Sequence, residues 1–141
     1  MKYRVAALFS LMYLTSVLLG YAASPSRPPL SSLQMTPITD FKSVAGEWEG
    51  LLKGLSHRDD WVQVTIDEDG SYEFASYRTT GVFSGSGKLT LSDGRFTGSG
   101  KRGTTTWTLY TAGDERRLKV NAVDENRDVS ADLSPAKKKA K

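Results

Sequence analysis

The chain has no cysteine among its 141 residues and only one histidine, His57. Without cysteine there are no disulfides, no thiol chemistry and no acylated cysteine by which an exported protein could hold to a membrane. A core here must be held by packing alone. A single imidazole cannot assemble a zinc site, and His57 with Asp59 and Asp60 implies no nucleophile, so it reads as a solvated loop histidine. After one short helical turn near residues 37–44, no convincing helical periodicity over ten residues follows. No catalytic constellation is present, and the expectation is a non-enzymatic protein without cofactor or metal.

What is present begins with a hairpin. Asp93-Gly94 suits a type I′ turn, in which both central residues take positive φ. Folding Ser92 onto Arg95 pairs Leu91 with Phe96, Leu89 with Gly98 and Gly87 with Gly100. One face then holds Phe83, Gly85, Gly87, Leu89, Leu91, Phe96, Gly98 and Gly100, all apolar or lacking a side chain. The other holds Ser84, Ser86, Lys88, Thr90, Arg95, Thr97, Ser99 and Lys101. This is the pattern of a half-buried antiparallel sheet.

Period two extends in both directions. The first strand, 45–53, puts Gly46, Trp48, Gly50 and Leu52 on one face. The second, 61–67, turns in Val62, Val64 and Ile66, and the third spans 71–78. A left-handed Gly70 between them pairs Ile66 with Tyr72 and Val64 with Phe74. Beyond the hairpin, a two-residue turn at Arg102-Gly103 pairs Gly100 with Thr105, Gly98 with Trp107 and Phe96 with Leu109. The last strands, 104–111, 116–123 and 128–134, turn in Leu118, Val120 and Ala122, then Val129, Ala131 and Leu133. Eight short-looped strands with one apolar face predict an all-β fold, an eight-stranded antiparallel up-and-down β-barrel, since closure removes both edges and the wet apolar face.

The ends differ in character. Residues 1–22 read as a signal peptide: Lys2 and Arg4, an apolar run from Val5 to Leu19, and small residues before a cut near Ala22. That implies bacterial export to the periplasm or medium, with no stable membrane anchor after cleavage. Residues 23–36 are rich in proline and serine and read as a linker, 37–135 as the barrel, and 136–141 as a basic tail. Removing the six cations of the leader and tail takes the formal charge of +3 to −3 for residues 23–136, so the basic pI is no argument for nucleic acid. The glycine-rich segments Gly85-Ser86-Gly87-Lys88 and Gly98-Ser99-Gly100-Lys101 fail as phosphate loops, because no helix follows either. The acidic cluster Asp67-Glu68-Asp69-Gly70 reads as turn chemistry, since its spacing is not that of an EF-hand.

Gly46-Glu47-Trp48, following the lead-in Asp40-Phe41-Lys42-Ser43-Val44-Ala45, resembles the opening motif of the lipocalins and their calycin relatives. The resemblance implies a lipocalin-like barrel with Trp48 plugging its closed end and a small, usually apolar ligand at the other. It also implies an arginine packed on the tryptophan, for which Arg116, Arg117 and Arg127 are available. From the taper of inward residues, the pocket is expected at the end away from Trp48. Its lining would be Leu52, Val62, Ser76, Phe83, Gly87, Gly100, Thr105 and Ala122, with Leu55 in a lid. The alternative is a filled barrel that binds a protein partner. In size, G-x-W strand and N-terminal arm the chain is similar to small periplasmic barrel inhibitors of bacterial metalloproteases, and Ser31-Ser32-Leu33 echoes their arm.

Overall fold

A computed structural model describes residues 27–54, 59–78, 81–100, 103–124 and 127–137. The expected signal peptide, most of the lysine-rich tail, His57 and the expected lid residue Leu55 lie outside these. Nine strands follow a 3-10 turn at Leu30–Ser32: β1 (Gln34–Thr36), β2 (Gly46–Lys53), β3 (Asp60–Ile66), β4 (Ser71–Arg78), β5 (Gly81–Ser92), β6 (Arg95–Gly100), β7 (Gly103–Ala112), β8 (Glu115–Asp124) and β9 (Arg127–Pro135). Strands β2 to β9 pair antiparallel in sequence order, and β9 returns to β2, with Gly50 opposite Leu133 and Leu52 opposite Ala131. The barrel is closed and eight-stranded, as the periodicity predicts.

Local chemistry sets the turns. Asp93 and Gly94 have φ of 51° and 71°, the left-handed pair that a type I′ turn requires. Gly70 has φ of 85°, and a Cβ there would lie 2.7 Å from the Phe41 ring, so this position needs glycine for two reasons. In the same turn Asp69 accepts bonds from the Ser71 amide at 2.8 Å and the Ser71 hydroxyl at 3.0 Å. Those bonds, the amide bond first, hold the Asp69 carboxyl below its usual range. Before β2 the chain makes one helical turn, with the Asp40 carboxylate accepting from the Ser43 amide at 2.7 Å and the Ala45 amide bonding to Phe41 O. That turn carries Val44 into the core and stacks Phe41 on Phe96, ring centroids 4.9 Å apart.

Expected and observed registers agree for β3–β4 and at Leu89–Gly98 and Leu91–Phe96 of β5–β6, and the inward residues expected on β8 and β9 pair with one another and with Trp107 and Leu109 of β7. The β6–β7 register differs by two residues: Phe96 faces Trp107, Gly98 faces Thr105 and Gly100 faces Gly103. A slip of two keeps every side chain on its face, so alternation cannot detect it. What selects the observed register is the wall at Gly98. A Cβ at Gly98 would lie 2.6 Å from Thr105 Oγ1, so Thr105, rather than the expected Trp107, fills that gap.

The proline- and serine-rich stretch also differs from a simple linker. Leu33 is buried, and Gln34–Thr36 pair with Leu109–Thr111 of β7, continuing the ladder past the point where β6 begins. Thr36 and Thr111 share a side-chain hydrogen bond of 2.7 Å. Arg27 donates to Ser134 Oγ on β9 at 3.2 Å, so the arm touches its own barrel on two strands.

Candidate functional site

The two halves of the interior differ in how well they are filled. At the Trp48 end, Phe96, Leu118 and Leu133 are 0% exposed, and Ile66 and Leu109 are buried with them. Trp48 itself is 2% exposed and donates from Nε1 to Val44 O at 2.8 Å. Arg116 lies over its ring, 5.4 Å from the centroid, and Nη2 of the same guanidinium donates to Ser43 O. Of the three candidate arginines, Arg116 is therefore the one on the tryptophan. Arg117 points to the outer face, where it forms a forked pair with Asp132 and is nearly buried. Hydrogen bonding to Asp132 raises its affinity for the proton further.

In the other half, inward positions well along the strands stay half-buried: Phe74, Gly85, Gly87, Thr105, Val120 and Ala122. Inward side chains on mid-strand positions keep that exposure only where the interior is not packed shut. These residues mark out a candidate chamber along β4, β5, β7 and β8, toward the end of the barrel away from Trp48; on β2, β3 and β9 of the same half Leu52, Val62, Val129 and Ala131 are buried. Its floor is aromatic. Tyr72 and Trp107 meet edge-to-face at 5.1 Å, with 63° between their planes. The Tyr72 ring covers Gly87, where a Cβ would fall 2.8 Å from its hydroxyl, and the Phe74 ring covers Gly85 in the same way at 2.7 Å.

Polar groups gather at that floor. Trp107 Nε1 donates to Thr105 Oγ1 at 2.8 Å, and the Thr105 hydroxyl stands near enough to the Tyr72 phenol to influence its acidity. Burial raises the Tyr72 pKa above its ordinary value, with Thr105 acting in the opposite direction. The phenol is therefore neutral across the physiological range.

Set against the expected lining, Gly87, Thr105 and Ala122 border the chamber, and Gly87 does so beneath the Tyr72 ring. Leu52 and Val62 lie on β2 and β3, and Ser76 follows Phe74 along β4; all three are buried among their neighbours. Ser76 is 0% exposed, and its hydroxyl has no hydrogen-bond partner among the described residues. Phe83 and Gly100 hold positions on β5 and β6 by register, opposite Ser76 and Gly103, and their side-chain surroundings lie outside the described residues. Phe74 and Val120 are absent from the expected lining, although both have the inward parity that would have found them. Tyr72 is missing too, because nothing in a linear pattern says which way a ring leans over a neighbouring glycine.

Outside the barrel, directly opposed positions on three strands carry Leu51, Trp61 and Tyr77, all exposed. No group of three or more metal-ligating side chains occurs among the described residues. No protein-family model, curated protein or solved structure matches this chain.

Proposed function

We propose that this is an exported, non-enzymatic, lipocalin-like barrel that binds a small, largely apolar ligand in the half away from Trp48. The observation that carries the reading is the contrast in filling. Inward residues around Trp48 are sealed, whereas Phe74, Thr105, Val120 and Ala122 keep access within the same barrel. An apolar enclosure with a few convergent polar groups is the ordinary make-up of a small-molecule site. The G-x-W strand capped by an arginine on its tryptophan supports the lipocalin-like assignment.

The test is binding of N-phenyl-1-naphthylamine, whose fluorescence rises in apolar surroundings, to the wild type and to Ala122→Phe. A phenyl ring at position 122 would occupy the chamber, so the variant is expected to stay folded and to lose at least tenfold in affinity. Unfolding of the variant, or unchanged binding, counts against the reading.

A second reading has its own support. Leu51, Trp61 and Tyr77 make an exposed apolar row on β2, β3 and β4, the composition of a protein-contact surface. On this reading the barrel is an interaction module of the protease-inhibitor kind. Burial of Leu33 and pairing of β1 with β7 engage the very arm such an inhibitor would project. A protease inhibition assay with and without residues 23–36 separates the two readings.

A further inference from the structure

The ligand-binding reading leaves open what chemical class enters the chamber, and the polar floor answers that. We infer that the occupant is a neutral amphiphile with one hydroxyl or carbonyl group. It is seated head-first, with that group on the Tyr72 and Thr105 hydroxyls and its apolar part along Phe74, Val120 and Ala122. This inference rests on the proposed function above.

Three observations converge on it. First, the inward positions left half-buried on β4, β5, β7 and β8 are apolar or bare except for Thr105, and the Ser76 hydroxyl beyond Phe74 is fully buried. Thr105 is the half-buried polar residue among those inward positions, and its oxygen already accepts the Trp107 N–H, which fixes where the hydroxyl sits. Its own proton goes to Gly98 O over a long 3.4 Å bond. A ligand oxygen beside this pair can accept from a hydroxyl proton that the protein otherwise spends on a weak bond.

Second, the floor carries no positive charge. Among the described side chains facing inward in this half, the ionisable groups are Tyr72 and Asp60, and Asp60 would repel an anion. A carboxylate head brought to the floor would lose its hydration without gaining a cation. Arg78 and Arg127 hold the rim ends of β4 and β9, and Arg78 stands about 20 Å from Tyr72 along its strand at roughly 3.3 Å per residue.

Third, the hydroxyl of Tyr72 lies against Gly87, where a side chain would displace it, so the bare wall and the phenol are fitted to each other. The ring is held by Trp107 from the side. Both hydroxyls are thus presented on packed rings and strands, not on loops.

The experiment displaces N-phenyl-1-naphthylamine from the full-length mature protein with 1-octanol, octanoate or 1-octene at neutral pH. Octanol is expected to act at a concentration at least tenfold below that of octanoate. Tyr72→Phe removes the hydroxyl and keeps the ring, and is expected to weaken octanol about fivefold while leaving octene unchanged. Thr105→Val is a second variant with the same expected outcome. If octanoate binds best, or if Tyr72→Phe and Thr105→Val leave the octanol-to-octene ratio unchanged, the head-first inference is overturned while ligand binding stands. If the dye does not bind, or none of the three displaces it, the ligand-binding reading fails and this inference with it.

Discussion

The guanidinium of Arg116 lies 5.4 Å from the centre of the Trp48 ring and also bonds the Ser43 carbonyl, so one side chain ties β8, β2 and the turn before β2 together. The contact combines cation–π attraction with a hydrogen bond to a carbonyl at the end of a helical turn. Trp48→Ala is expected to cost about 3–5 kcal/mol in chemical denaturation, as for other buried aromatic truncations. Arg116→Ala is expected to cost about 1–2 kcal/mol. The reverse order of the two would mean that the tryptophan is not what holds the closed end.

A second position tests how the barrel closes. A Cβ on Gly50 would lie 2.0 Å from the Asp132 carbonyl of β9, and backbone cannot yield as a side-chain tip can. Gly50→Ala is therefore expected to destabilise by at least about 2 kcal/mol, through the β2–β9 seam itself. Hydrogen exchange should quicken first at residues 48–53 and 130–135. Wild-type stability in this variant would mean that the seam is looser than described.

Much of this architecture was legible in the chain because the side-chain period of a strand is two. Asp93-Gly94 set one hairpin and Gly70 another, and inward parity located Trp48, Leu109, Leu118 and Leu133 at one end. The β6–β7 slip was invisible for the same reason: moving Thr105 from Gly100 to Gly98 changes no face. The site was legible only in part. Gly87 looked like open wall, yet the ring of Tyr72 leans over it, and that lean depends on Trp107 and Thr105 arriving from β7. Residues 34–36 show no alternation long enough to announce a strand, and β1 exists because β6 starts too late to cover the end of β7.

That last point yields a prediction about the arm. Removing residues 27–36 strips Leu109–Thr111 of their β1 partners and takes Arg27 from Ser134. Thermal unfolding should then shift down by several degrees, in keeping with a loss of about 1–2 kcal/mol in a domain of this size. An unchanged midpoint would return the segment to the status of a linker.

Alkaline pH should weaken the fold through Tyr72. Burial raises its folded pKa above the ordinary value of 10.0, so the neutral phenol is favoured in the folded state. Its contribution is complete below pH 10 and is lost as pH rises through the folded value, because only the unfolded chain gives up the proton early. Tyr72→Phe should flatten the fall in stability above pH 10, measured by urea denaturation at several pH values. An equally steep fall in the variant would assign it to other groups.

Uptake of a small molecule in the half of the barrel away from Trp48 is what the proposed function requires. Native mass spectrometry of the protein purified from its own source addresses it most directly, recorded beside Ala122→Phe prepared in the same way. The account predicts a retained neutral mass of a few hundred daltons on the wild type, released on gentle activation and missing from the variant. The bare mass of the chain in both samples, or a protein partner in place of a small molecule, would contradict it.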